Sequence, residues 1–268
     1  MEQEQGKLKP IIVILPVIAI LILAGWWYLT PPGLLGKADA IGYAICHRIP
    51  ERSFWFFGRQ MPLCARCSGM QLGALVGMGY LFTRGRYGKM PPLKIFLVLA
   101  IFFIAFAVDG INSYLNLFVS DPILYPSSNI LRLITGTGLG IAIAVVTVPI
   151  FNQTMWDNWI NKPSIPSFAV FSVLLVLASI VVLGILSDLP IILYPLALLS
   201  AANVLILLSI VYSILVVILM KKENQYRSFK ELWLILLAGF ILALSQIAVM
   251  DFLRYSFTGT WEGFTFFS

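Results

Sequence analysis

The sequence predicts an all-α, polytopic transmembrane bundle of about seven spans, forming a single membrane domain over residues 1–268. Three observations lead there. Hydrophobic residues make up 60% of the chain and charged residues 11%, against the roughly 45–50% and 25% of soluble domains. Several apolar runs reach or approach the about 20 residues that a helix needs to cross a bilayer. Lysine and arginine are dense in every second connection and sparse in the others, as membrane topology demands. The formal charge of +6 therefore reports orientation first, and no nucleic-acid partner is expected.

The first span is residues 11–29. The sequence after its apolar run, Gly25-Trp26-Trp27-Tyr28, lacks the small-x-small pattern of a cleavage site, so an uncleaved anchor is expected. Residues 30–62 are rich in Pro, Gly and charge, and the segment 30–67 reads as an outward loop or re-entrant segment. The second span, 63–82, carries Gly69, Gly73, Gly77 and Gly79; glycines four apart let helices approach closely, which places this span inside the bundle. Further spans read as 95–117, 130–151, 168–186, about 192–220 and 232–253. In the sixth, Pro195 either starts the helix or kinks it. The stretch Thr135-Gly136-Thr137-Gly138 reads as another close helix contact, since no phosphate-loop lysine accompanies it.

With the N-terminus in the cytoplasm of a multi-pass cell-membrane protein, the inner segments hold Lys7, Lys9, Arg84, Arg86, Lys89, Lys94, Lys162, Lys221, Lys222, Arg227 and Lys230. The outward segment 30–67 breaks this pattern with Lys37, Arg48, Arg52, Arg59 and Arg66. These five surround a cluster that holds every cysteine and the single histidine: Cys46, His47, Cys64 and Cys67. The basic residues read as retained for that extracytoplasmic site despite their topological cost. Other polar residues sit at the same outward helix ends: Asp109 with Asn112 and Asn116, Asn129 with Arg132, and Asp251 with Arg254. Ionisable groups at membrane depth face an interior or a cavity, so one polar pocket under the outer surface is expected. Asp109 and Arg132 are expected to pair, and Asp251 and Arg254, three apart on one helix, to satisfy each other.

The chemistry of the cluster has three readings. Cys64-x-x-Cys67 has the spacing of a zinc half-site, which Cys46 and His47 would complete as a Cys3His set; with His47 outside, three thiolates leave an open position and His47 becomes a neighbouring base. Alternatively Cys64 and Cys67, in the first turn of a helix after Pro62, form a redox dithiol whose pKa the helix dipole and Arg66 lower. In the third, the cysteines are buried apolar residues that hold the first loop of a transporter or scaffold. Arg48, Arg52, Arg59, Arg66, Asp109 and Arg132 are candidates to bind an anionic small molecule or lipid head group; Arg48, Arg52, Arg59 and Arg66 equally suit ion pairing with Glu51 and Asp39. His47 and Asp109 are the catalytic candidates, and the residues do not decide whether the protein is an enzyme.

The string Cys46-His47-Arg48-Ile49-Pro50-Glu51-Arg52-Ser53-Phe54, followed by Pro62-Leu63-Cys64-Ala65-Arg66-Cys67-Ser68-Gly69, resembles a prokaryotic family of multi-pass membrane proteins, domain of unknown function 2085. Asp109-Gly110 and Asn129-x-x-Arg132-x-x-Thr135-Gly136 resemble its later motifs. The resemblance covers roughly residues 43–141 and implies a membrane bundle with a cysteine-histidine site; it supplies no reaction. Ser68 and Arg48 stand where the family often has threonine and glutamine.

Overall fold

The computed structural model describes residues 2–118 and 122–263, with side chains from residue 12 onward. Lys7 and Lys9 thus lie outside the described side chains, as does the tip of the connection at 119–121. The chain folds as α1 (Glu2–Leu29), α2 (Gly33–Ile45), a hairpin of β1 (Trp55–Phe56) and β2 (Arg59–Gln60), α3 (Ala65–Arg84), β3 (Tyr87–Lys89), α4 (Leu93–Leu115), α5 (Asn129–Met155), β4 (Ile160–Pro163), α6 (Phe168–Leu186), α7 (Pro190–Leu219) and α8 (Phe229–Thr258). Among the described residues, six helices (α1 and α4 to α8) are long and apolar enough to cross a membrane. The seventh long helix, α3, carries Arg66, Ser68, Gln71 and the glycines, and half of its residues are buried. It still connects the two faces, for its N-terminus bears Cys64 and Cys67 and its C-terminus leads into β3.

The helix boundaries follow local chemistry. Ser128 caps α5 by accepting from the Leu131 amide at 3.1 Å, and Gly259, at φ 68°, ends α8 in the left-handed conformation that costs glycine nothing. Pro190 occupies the first turn of α7, where its missing amide is harmless. Pro195 lies inside the same continuous helix, so it does not start the helix. The segment expected as loop or re-entrant contains α2; its 13 residues rise only about 20 Å, too little to cross. Pro31 and Pro32 separate it from α1.

Glycine patterning decides the centre. The most extensive helix contact is α3 against α5, and it is made backbone to backbone. A Cβ on Gly136 would sit 2.2 Å from the Arg66 carbonyl oxygen, and one on Gly140 would sit 2.1 Å from that of Met70. Gly69 and Gly73 answer from α3 against Leu133 and Thr137. Both glycine stretches thus serve the close packing expected of them except at Gly79, where a Cβ would meet nothing within 4 Å.

The face opposite the cysteines is tied by backbone. β3 pairs in parallel with β4, the Ile160 amide donates to the Arg86 carbonyl at 2.8 Å, and the Asn224 and Tyr226 amides donate to Thr154 and Met155 at 2.9 and 3.1 Å. Arg84, Arg86, Lys89, Lys94, Lys162, Lys221, Lys222, Arg227 and Lys230 all lie on or beside these connections.

Candidate functional site

The site forms where α2 ends and α3 begins. Cys46 is the C-terminal cap of α2, its amide donating to the Gly42 carbonyl at 2.8 Å. A Cβ on Gly42 would stand 1.9 Å from the Pro62 carbonyl oxygen; glycine there lets the chain before α3 lie against α2 and brings Cys64 onto Cys46. Cys64 is the N-terminal cap of α3, and its amide donates to the Cys46 sulfur at 3.4 Å. Cys67 follows in the first turn, so the expected helix-start position of the Cys64-x-x-Cys67 pair is found. Sulfur and nitrogen ligand atoms of Cys46, His47 and Cys64 lie within 4.8 Å of one another; Cys67, three residues into α3, stands outside that group. All three cysteines are free thiols, with Cys46 and Cys64 buried.

Charge is distributed unevenly within the cluster. Thiol hydrogen bonds from Cys64 and Cys67 hold the Cys46 thiol well below its ordinary pKa. The Cys64 thiol, which donates to Cys46, is pushed up to about 12. Cys46 is therefore the first thiolate of the group. Burial lowers the pKa of His47, and Arg52, Arg66 and Arg132 lower it further against the opposing pull of Cys46; the imidazole is neutral at pH 7. Its Nδ1 accepts from the Ile49 amide at 3.2 Å, which leaves the ring proton on Nε2.

The arginines divide into two groups. Arg48, held at φ 51°, donates to Asp39 at 2.8 Å and to the Trp261 carbonyl at 3.2 Å. Arg59 donates to the other Asp39 oxygen, so the ion pairing expected of this pair with Asp39 is present. Gln60 secures the Arg48 backbone, donating to its carbonyl at 2.9 Å. Lys37 belongs elsewhere, donating to Thr30 Oγ1 at 2.9 Å and to the Trp27 carbonyl.

Arg52, Arg66 and Arg132 form the second group. Arg66 grips Asp109 through Nε and Nη2. Asp109 also accepts from Tyr125 Oη at 3.3 Å and Thr135 Oγ1 at 3.4 Å. Arg52 donates to the Ser113 carbonyl at 2.6 Å, and Arg132 donates to Ser113 Oγ at 2.9 Å and Asn129 Oδ1 at 2.7 Å. The expected Asp109–Arg132 pair is thus replaced by Asp109–Arg66. Register is the reason: Asp109 lies opposite Thr135, while Arg132, one turn earlier on α5, meets Ser113, one turn later on α4. The close contact at Gly136 delivers Arg66 to the carboxylate. Asn112 and Asn116 do not line the pocket; each donates to the Tyr125 carbonyl at 3.0 Å and shapes the connection to α5.

The expected Asp251–Arg254 pairing is also corrected. Trp26 Nε1 donates to Asp251 Oδ2 at 2.9 Å. Arg254 donates to the carbonyls of Tyr43 and Cys46 at 2.5 and 2.6 Å and lies 3.9 Å over the Tyr43 ring. The last carbonyls of α2 have no amide ahead of them, and a cation from α8 satisfies them. Sequence reading placed Arg254 at this face and missed its partners, and it missed Ser113, Trp261, Gln60 and Tyr125 as parts of the site. Of these, only Ser113 carried a usable signal, being four residues from Asp109 on one helix face.

Residues 46–146 match the family described as predicted membrane protein, DUF2085. An uncharacterized protein of Methanocaldococcus jannaschii is 37% identical over 121 residues, which are 45% of this chain and 72% of that protein. An uncharacterized protein of Methanothermobacter thermautotrophicus is 36% identical over 108 residues, 38% of this chain and 84% of that one. No solved structure matches. Helices α3 and α4, α5 as far as residue 146, and the whole Cys/His cluster fall within the matched stretch, and the chain belongs to the DUF2085 family of predicted membrane proteins.

Proposed function

We propose that this membrane protein holds a zinc ion on Cys46, Cys64 and Cys67, with His47 at its edge, and that Arg52, Arg66 and Arg132 form an adjoining pocket for an anionic small molecule or lipid head group. The observation that supports the metal reading is the approach of the Cys46 and Cys64 sulfurs, which lie with a His47 nitrogen within 4.8 Å of one another; in this reading Cys67, in the first turn of α3, supplies the third thiolate. Thiolates and a neutral imidazole are the donor set zinc prefers. The ring tautomer argues for His47 as a neighbour of the metal with Nε2–H as a proton donor, since a metal-bound histidine donates its other ring N–H and here Nδ1 receives one.

The anion reading rests on charge balance. Of the three guanidiniums only Arg66 reaches a carboxylate, and that group, Asp109, is committed to Arg66, Tyr125 and Thr135. Arg52 and Arg132, both buried, donate to neutral oxygens. Buried cations in excess favour an anion that forks onto them. In this reading Asp109 fixes Arg66 in place, and His47 is the residue that moves a proton. The positive-inside rule turns the basic face with its backbone-tied connections to the cytoplasm and the Cys/His face outward.

Elemental analysis of purified protein tests the metal. About one zinc per chain is expected, lost in Cys64→Ser. Metal-free protein with a Cys64–Cys67 disulfide would replace this reading with a thiol-disulfide enzyme.

A further inference from the structure

Beside the cluster, on the outside of the bundle, the end of α2 and the last turns of α8 enclose a cavity of about 450 Å³, within the range of roughly 300–1,000 Å³ usual for ligand sites. Cys46, His47 and Arg254 line one part of it; Ile45, Met250, Leu253 and Phe257 line the rest. Met250 and Leu253 of α8 are 43% and 45% exposed, and at their depth on a membrane helix such exposure means contact with hydrocarbon.

Its depth follows from helix length. α8 has 30 residues and rises about 45 Å, against a hydrocarbon core of about 30 Å. Counting about 20 residues from the polar first turn at Lys230 and Glu231 puts the far hydrocarbon boundary near Asp251. Met250 and Leu253 then stand at the edge of the acyl region. Arg254, Thr258 and His47 stand at head-group level. Among the described residues no carboxylate lines the cavity, whereas Arg48 lies within electrostatic reach of Arg254, and Arg52, Arg66 and Arg132 lie within reach of His47.

We infer that this cavity admits a phosphate-bearing membrane lipid sideways from the bilayer, its tail along Met250 and Leu253 and its head group against His47 and Arg254. This goes beyond the anion reading above, since Arg52, Arg66 and Arg132 do not line this cavity and Arg254 is the cation that does. The wall chemistry argues for a lipid: a water-soluble anion gains nothing from an apolar wall open to the bilayer, whereas an amphiphile matches both ends of the cavity.

The full-length protein in nanodiscs, with a trace of phosphatidic acid carrying a diazirine in its acyl chain, tests the inference. Crosslinks should concentrate on the peptide spanning Met250 to Phe257, and Leu253→Trp, which fills the cavity from its lipid side, should abolish them. Leu242→Trp, an equally lipid-exposed change on the same helix, should not. Equal labelling by the diazirine analogue of phosphatidylcholine, or labelling unchanged in Leu253→Trp, would overturn the inference and leave only boundary lipid. Loss of labelling on addition of inorganic phosphate alone would assign the site to a soluble anion and overturn it as well. The metal reading is scored separately: zinc content that stays intact while labelling is non-selective sinks the lipid alone, and selective labelling of zinc-free protein sinks the metal alone.

Discussion

Gly136 of α5 lies against the carbonyl of Arg66, so close that a Cβ there would come within 2.2 Å of the oxygen. The same contact fixes where the Arg66 side chain starts, and so which carboxylate it reaches. Gly136→Ala should therefore cost stability by overpacking, about 1–3 kcal/mol, and loosen the Arg66–Asp109 pair. Gly79→Ala on α3, where a Cβ meets nothing within 4 Å, should be neutral or stabilising by up to about 1 kcal/mol through helix propensity. Thermal unfolding of the two variants in one detergent compares them directly; equal losses would show that the α3–α5 contact is not this close.

The partner of Asp109 is open to a double-mutant cycle. Asp109→Asn and Arg66→Gln should each destabilise strongly, on the scale of about 3–5 kcal/mol for a broken buried pair. The double variant should recover part of that loss. Asp109→Asn with Arg132→Gln should show the smaller interaction energy of the two cycles, since the two side chains bond to different partners. The reverse ranking would restore Arg132 as the counter-ion.

Thiol reactivity should differ within the cluster. A thiol whose pKa is lowered keeps its thiolate below the ordinary range, and one raised to about 12 does not. In chelator-treated protein, iodoacetamide at neutral pH should modify Cys46 ahead of Cys64, and acidification should slow Cys46 only below the pH at which an ordinary thiol is already protonated. Peptide mass spectrometry reads both rates. Faster labelling of Cys64 would invert the assignment.

His47→Ala separates ligand from neighbour. With the ring proton on Nε2, the variant should retain its zinc, and His47→Gln should do the same. Loss of zinc from both, measured by elemental analysis, would make the imidazole a ligand.

Orientation is checked from outside the cell. A membrane-impermeant maleimide should label Thr260→Cys in intact cells and leave Lys222→Cys untouched until the membrane is opened. The opposite result would turn the Cys/His face to the cytoplasm.

The long helices were legible in the sequence because hydropathy over about 20 residues is a property of the segment alone. The packing of α3 on α5 was legible too, since Gly69, Gly73 and Gly136 announce a close approach without naming its partner. The cluster of Cys46, His47, Cys64 and Cys67 showed itself by proximity in sequence. Pairing between helices did not. Whether Asp109 meets Arg132 or Arg66 depends on the axial offset of α4 against α5, and a single turn of offset exchanges one for the other. The partners of Arg254 and the role of Trp261 were illegible for a related reason: they meet backbone carbonyls and rings some two hundred positions away, and no spacing rule spans that distance. The helix α2 was hidden because 13 residues bounded by proline look like a loop when judged by polarity.

The two ends of the bundle are fastened by different materials. At the basic end, backbone hydrogen bonds lace the connections following α3, α5 and α7 to one another, through β3 with β4 and through Thr154 and Met155 with Asn224 and Tyr226. At the cysteine end, side chains such as Arg66, Arg132 and Arg254 do the joining. Backbone ladders resist sliding, while a guanidinium can follow a moving oxygen by changing rotamer. The molecule is a sheaf bound at its foot, and room for a guest opens at the top.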